Sequence, residues 1–184
     1  MINNNIKNQF TISSAYQWSV DKISVNNSEL AIKSIAEMIK NKFSKNKTLN
    51  YNINYRRLRA SAGRTMLDSI MKRIEKSQVI IIDITTSNRN VFIEAGIALA
   101  LEKNNPFLSV YFIKEKNNDL PLPNGIPSDL QGYFISEYIN EDGKITFKDG
   151  NSLRLSIESD VKEYFNAKEQ IFNQIDELNE DNEK

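Results

Sequence analysis

The chain contains no cysteine and no histidine. Without cysteine there is no disulfide framework, no thiolate nucleophile and no Cys-type zinc site. Without histidine, Ser-His and Cys-His nucleophile activation and the zincin motifs are excluded too. An enzyme built from this sequence works with carboxylates, hydroxyls, Lys, Arg, Tyr or a bound cofactor. No apolar run approaches the roughly 20 residues of a membrane span. Residues 1–10, MINNNIKNQF, lack the apolar core of a signal peptide. Basic and acidic residues number 24 each, so nothing favours general affinity for nucleic acid or an anionic membrane. A cytoplasmic protein that engages neither is expected. No strand candidate is followed by G-x-G-x-x-G, which argues against a dinucleotide oxidoreductase.

The length, 184 residues, suits one domain. Polar residues 1–9 are expected to be loose, residues 10–176 to form the domain, and the acidic tail 177–184 to fray. FTISSA at 10–15 reads as a short strand. Ser28 reads as the N-cap of a helix carrying Ile32, Ile35, Ala36, Ile39 and Phe43 at helical spacing. Residues 49–55 alternate Leu49, Tyr51, Ile53 and Tyr55 with asparagines, a strand with one apolar face near a sheet edge. A helix follows over 65–76, with Leu67, Ile70, Met71 and Ile74 on one stripe. Residues 108–113 are β-rich. Pro121, Pro123 and Pro127 punctuate a long loop over 114–129. Residues 133–139 read as a strand and 144–148 as its hairpin partner. A long helix starts near Ser152, with Val161, Tyr164, Phe165, Phe172 and Ile175 in phase, packing on the domain or on a second copy. Alternating strands and helices predict a single α/β domain with a mainly parallel sheet and helices on both faces, flavodoxin- or Rossmann-like.

The centre of this pattern is residues 77–101, SQVIIIDITTSNRNVFIEAGIALAL. Val79, Ile80, Ile81 and Ile82, closed by Asp83, form a run too short for a helix and apolar enough for a strand buried on both faces. A polar stop follows. Residues 90–101 are then apolar on nearly every side, which predicts a buried helix, with Glu94 as its only charge. Small Gly96 and Ala98 are expected to let the helix lie close to the sheet. Ligands of open α/β sheets bind outside the carboxyl ends of the strands, and Asp83 and Glu94 both fall at that edge.

This stretch resembles the central motif of the nucleoside 2-deoxyribosyltransferase-like family and, more loosely, of TIR-like domains. The resemblance rests on Asp83, Thr85, Asn88, Asn90, Val91, Phe92, Glu94, Gly96 and Ala98. It is supported by the amphipathic helix upstream and by 126–132, IPSDLQG, leading to a strand that ends at Tyr138. It implies that Glu94 is the nucleophile or ribose-binding acid in breaking an N-glycosidic bond, and that Asp83 orients the substrate. Ser13, Tyr16, Trp18, Arg64, Asn88 and Asn90 complete the substrate-binding candidates. A second Asp that the family's transferases often carry before the Glu is replaced here by Asn88 and Asn90. The glycine-rich phosphate loop of some relatives is replaced by Tyr16 and Trp18.

The residues support this chemistry and leave alternatives open. Cleavage of a ribosyl–base bond builds positive charge at C1′, which a buried carboxylate stabilises or bonds. The helix N-terminus favours ionised Glu94, whereas burial raises its pKa. Asp83 either meets the substrate or closes the turn after its strand. Arg56, Arg57, Arg59 and Arg64 form either a phosphate-binding wall or a solvated loop, with Arg64 the choice for a phosphate contact. Tyr16 and Trp18 either stack on a base or nicotinamide or pack on the sheet. The expected ligand is a nucleoside, a nucleotide or NAD. Activity is N-glycosidic cleavage or transfer, TIR-like cleavage of NAD, or non-catalytic nucleotide sensing. No cofactor and no metal is expected, and a homo-oligomer is.

Overall fold

The computed structural model describes residues 9–17, 27–44, 51–58, 65–86, 88–116, 130 and 132–182, without the side chains of 172 and 176–182. Strand β1 (Gln9–Ala15) is followed by α1 (Asn27–Phe43), β2 (Asn52–Arg57), α2 (Met66–Glu75) and β3 (Val79–Asp83). Then come α3 (Arg89–Glu102), β4 (Ser109–Glu115), the hairpin β5 (Ile135–Glu141) and β6 (Lys144–Phe147), and α4 (Ser152–Asn182). The sheet order is β2-β1-β3-β4-β5-β6, parallel except for the antiparallel pair β5–β6. This is a single α/β domain of flavodoxin-like winding. Among the described residues no helix is long and apolar enough to cross a membrane.

The winding follows from chain direction. From β1 the chain moves outward to β2, then doubles back past β1 to β3 and onward. Right-handed crossovers then place α1 on one face of the sheet and α2 and α3 on the other. Side-chain alternation along the strands feeds both layers. Phe10, Ile12, Ile53, Val79, Ile81 and Ile113 pack with α1 and α4. Ala15, Ile80, Ile82, Val110 and Phe112 pack with α2 and α3. Every residue of β3 is buried, and Ile80, Ile81 and Ile82 are fully withdrawn from water, each contributing about 1.5–3 kcal/mol. The doubly buried central strand and the edge position of β2 thus match the sequence pattern.

Several local expectations are corrected. Helix α1 begins at Asn27, so Ser28 lies in its first turn and is not its cap. The side chains there are engaged in tertiary bonds instead: Asn27 Nδ2 donates to Glu115 Oε1 at 2.8 Å, and the Ser28 hydroxyl is bonded to Asp83 and Tyr138. Strand β2 starts at Asn52, later than expected, and residues 49 and 50 lie outside the described residues. Strand β4 extends to Glu115, into the stretch read as loop. The turn between β5 and β6 has Asp142 at φ 50° and Gly143 at φ 86°, the two left-handed positions of a type I′ hairpin, and Asn140 Oδ1 accepts from Gly143 N.

Helix α3 is not buried all round. Val91, Ala95 and Ala98 are buried, but Ile93 is 55% exposed, and Gly96 and Ala100 face outward. The helix is the outer layer on its face of the sheet, and one layer covers one side. Gly96 is therefore not a close-approach residue, since a Cβ there meets nothing within 4 Å. Ala98, fully buried, is the small residue turned inward.

Helix α4 crosses the α1 face from the hairpin toward the start of β2. Leu153, Ile157, Val161 and Phe165 are buried, and the Phe165 ring lies 4.2 Å from that of Tyr51 and 6.3 Å from that of Phe10. Buried Glu158 pairs with Lys42 at the end of α1 and with Arg154, 2.5 Å away, so this carboxylate has two cations. Ile175 continues the stripe in sequence but is exposed, and the Phe172 side chain lies outside the described residues. Phe165→Ala is expected to lower the unfolding free energy by about 3–5 kcal/mol, measured by denaturant titration with the urea m-value unchanged.

Candidate active site

The strand order reverses between β1 and β3, and the crevice outside the carboxyl ends of these strands is where a doubly wound sheet takes a ligand. Asp83 ends β3 at that edge and, by alternation with Val79 and Ile81, faces α1. Its side chain is 1% exposed. Oδ1 accepts from Thr85 N at 2.7 Å, and Oδ2 accepts from the Tyr138 hydroxyl at 2.7 Å. Burial raises its pKa, and the bonds from Thr85, Tyr138 and Ser28 oppose that rise. Burial and the adjacent carboxylate raise the Tyr138 hydroxyl as well. Thr85 Oγ1 in turn accepts from Glu115 N at 2.8 Å, and Asn140 Nδ2 donates to Asn27 Oδ1 at 2.6 Å. A polar network thus ties the ends of β3, β4 and β5 to the N-terminus of α1.

Glu94 reaches the same edge from the other face. Its helix α3 is started by Asn88, whose Oδ1 accepts from Asn90 N at 2.9 Å and Val91 N at 3.4 Å. That is an N-cap, and it uses the side chain of Asn88 and the backbone of Asn90. Asn90 itself is exposed. Glu94 follows one and a half turns into the helix, half-buried. Desolvation raises its pKa to about 7, and the positive charge of Arg57 partly offsets the rise. Both protonation states are then populated at neutral pH, which suits a group that must give, take or share charge during a reaction.

Arg57 ends β2 and stands over the Tyr16 ring, 4.2 Å from its centroid, with Nη2 donating to Tyr16 O at 3.2 Å. Tyr16 is buried, and its hydroxyl, raised by burial, is bonded to Glu29 of α1. Its ring packs at the α1–β2 junction, the packing alternative set out for it. Ser13 is fully buried, and its Oγ lies 2.7 Å from Ser77 Oγ and accepts from Arg56 Nε at 3.1 Å. Arg56 also donates to the Arg73 carbonyl at 2.5 Å. Ser13 and Arg56 therefore fasten β1 and β2 to the end of α2, beneath the edge and not on it. Trp18, Arg59 and Arg64 lie outside the described residues.

The structure brings together Asp83 and Tyr138 on the α1 face of the edge, where Arg57 also lies beside Tyr16, and sets Glu94 on the α3 face within electrostatic reach of Arg57. Sequence reasoning missed Arg57 as a cation that acts on Glu94, because it could not separate Arg56 from Arg57. Strand alternation sends Arg56 to the end of α2 and Arg57 to Tyr16 on the α1 face, so the face alone does not single out Arg57 for Glu94. Thr85 was noted only as part of a motif, yet it receives β4 and donates to Asp83. Tyr138 sits within β5 rather than at its end, and its hydroxyl is the polar handle that marks it.

Two grooves elsewhere do not include these residues. One of about 260 Å³ lies between α1 and β2, lined by Lys33, Glu37, Lys40 and Tyr55 among others. One of about 370 Å³ lies beside the start of β4, lined by Phe112, Tyr133, Phe134 and Leu153 among others. The connections leaving the carboxyl ends of the strands contain residues 18–26, 59–64, 87 and 117–129, outside the described residues. Among the described residues no cluster of Asp and Glu could hold a metal ion.

Two measurements check these assignments. Removing the Asp83 carboxylate leaves the Tyr138 hydroxyl and Thr85 N without their acceptor in the interior. Asp83→Ala is therefore expected to lose at least about 1–3 kcal/mol of stability, read from denaturant unfolding. For Glu94 the folded pKa lies above the ordinary value, so between the two the folded chain binds more protons than the unfolded one. Stability from this group is full at acid pH and falls as pH rises toward 7. The melting temperature of Glu94→Gln relative to the parent should rise between about pH 5 and about pH 8; a pH-independent difference would contradict the buried, proton-holding carboxyl.

Comparison of the chain with protein-family models, with curated proteins and with solved structures finds no match.

Proposed function

We propose that the protein cleaves, or transfers across, the N-glycosidic bond of a nucleoside or nucleotide, with Glu94 as the carboxylate that meets C1′. The observation that carries this reading is the state of Glu94. It is a half-buried carboxyl at the carboxyl edge of a doubly wound sheet, shifted to about 7 by desolvation, with Arg57 as its counter-charge. The motif resemblance assigns the same residue to the same chemistry, and the sequence lacks the histidine and cysteine that would offer another nucleophile.

As the C1′–N bond breaks, its electron pair leaves with the base, which takes up, in net balance, the proton lost by the attacking water or incoming base. Glu94 balances the positive charge left on the sugar, or bonds to C1′. Water, or a second base, then completes hydrolysis or transfer. Asp83 has a positioning part in this scheme. Its bonds to Thr85 N and Tyr138 hold the turn that leads into α3, and so the height of Glu94 above the sheet.

Incubation with a panel of nucleosides, nucleotides and NAD, followed by chromatography of the released base, tests the proposal and identifies the substrate. Glu94→Gln keeps the shape and removes the charge, and should lower base release by roughly 10²–10⁴-fold with the circular dichroism spectrum unchanged. Because the ionised form is the one that acts, release by the parent protein should climb as pH passes through about 7. Parent-level turnover in Glu94→Gln, or tight nucleotide binding with no base released by the parent, would overturn it.

A further inference from the structure

Helix α4 is longer than the surface it covers. Its 31 residues span about 46 Å. The buried part ends at Phe165, and Lys168 lies with its ammonium 4.8 Å from the centre of the Tyr164 ring. From residue 169 every described side chain is exposed, including Ile171 at 50% and Ile175 at 46%. About four turns of helix thus extend past the start of β2. This extension propagates from a helix already formed, but none of its described side chains is buried, so tertiary packing does not hold it.

The sequence of this overhang is patterned for a partner. Ile157, Val161, Tyr164, Lys168, Ile171, Ile175 and Leu178 are spaced alternately by four and three residues. That spacing keeps one seam facing a second helix. The first three positions spend the seam on the domain, and the later ones leave it open.

We propose that the distal half of α4 packs antiparallel on the same segment of a second copy of this chain. The seam is self-complementary about a twofold axis near position 173. Position 171 then faces the partner's 175, position 168 faces the partner's 178, and the symmetry closes the contact. Charge selects the direction. Asp176, Glu177, Glu180 and Asp181 make the distal end acidic. A parallel pair would set these acids beside their own copies, whereas the antiparallel pair carries them to a segment in which Lys162, Glu163, Lys168 and Glu169 balance. The inference does not depend on the proposed activity.

Sedimentation of the full chain across a concentration series, together with engineered thiols, tests this. The parent should approach twice the monomer mass of 21.2 kDa as concentration rises. Ile171→Glu with Ile175→Glu should return it to monomer with the domain's melting transition intact. Because the chain has no cysteine, each introduced thiol is alone. Gln174→Cys faces its own copy only in the antiparallel pair and should form an intermolecular disulfide on mild oxidation. Gln170→Cys, on the outer side, should not. A parent that stays monomeric at all concentrations, a dimer that survives the double substitution, or equal crosslinking at both positions would overturn the proposal.

Discussion

The withdrawal of β3 from water on both faces is the constraint on which the other elements depend. Ile81 gives α1 and α4 their floor, while Ile80 and Ile82 do the same for α2 and α3. A strand with two apolar faces is stable only when both are covered, so the chain must supply helices on each side. Parallel pairing to β1 and β4 satisfies its backbone groups, and right-handed crossovers distribute the helices. The reversal of strand order beside β3 then creates the crevice at its carboxyl end.

Charge enters this interior at a few points, and each is compensated differently. Asp83 is held by donors: a backbone N–H from Thr85, a phenol from Tyr138 and the hydroxyl of Ser28. Glu158 is held by two cations, Lys42 and Arg154, in the seam between α1 and α4. Glu102 accepts from Val110 N at 2.7 Å on the side of β4 where β5 has not yet begun to pair. Glu94 is the contrasting case. Desolvation outweighs Arg57's favourable charge, so the carboxyl sits near its midpoint at neutral pH. A group left in that condition contributes little to stability when ionised, which is the physical reason for reading it as chemistry.

The site is therefore divided between two kinds of carboxyl at one edge of the sheet. On the α1 face, the bonds of Asp83 rigidify the ends of three strands. On the α3 face, Glu94 is carried by a helix whose first turn is fixed by the Asn88 cap. At either end of the short connection between them, Thr85 N is bonded to Asp83 and Asn88 caps α3. Tyr16, Arg57 and Glu29 form a further linked set, joining the end of β1, the end of β2 and the first turn of α1.

By itself the sequence determined the elements whose periodicity is strong. The run at 79–83 could only be a doubly buried strand, and the alternating asparagines of 50–54 marked an edge strand. The amphipathic stripe of α1 located its inner face, and those of α2 and α4 did so in part, Ile70 and Ile74 being buried but Leu67 exposed, and Val161 and Phe165 buried but Ile175 exposed; strand–helix alternation implied the parallel, doubly wound layout. It also singled out Glu94, as the lone charge in an apolar stretch. What only the tertiary structure decided was which side chains are consumed by other side chains. Ser13, Arg56 and Asn88 have site-like chemistry in sequence, but packing engages Ser13 and Arg56 in strand fastening and Asn88 in capping. Tyr138 became the partner of Asp83 because two strands distant in sequence are one β4 apart in the sheet. Helix α3, apolar all round, is half open because burial depends on how many layers lie above a helix. Local pattern encodes the direction in which a side chain points, whereas its partner depends on sheet order and layer number, which are set by the whole chain at once.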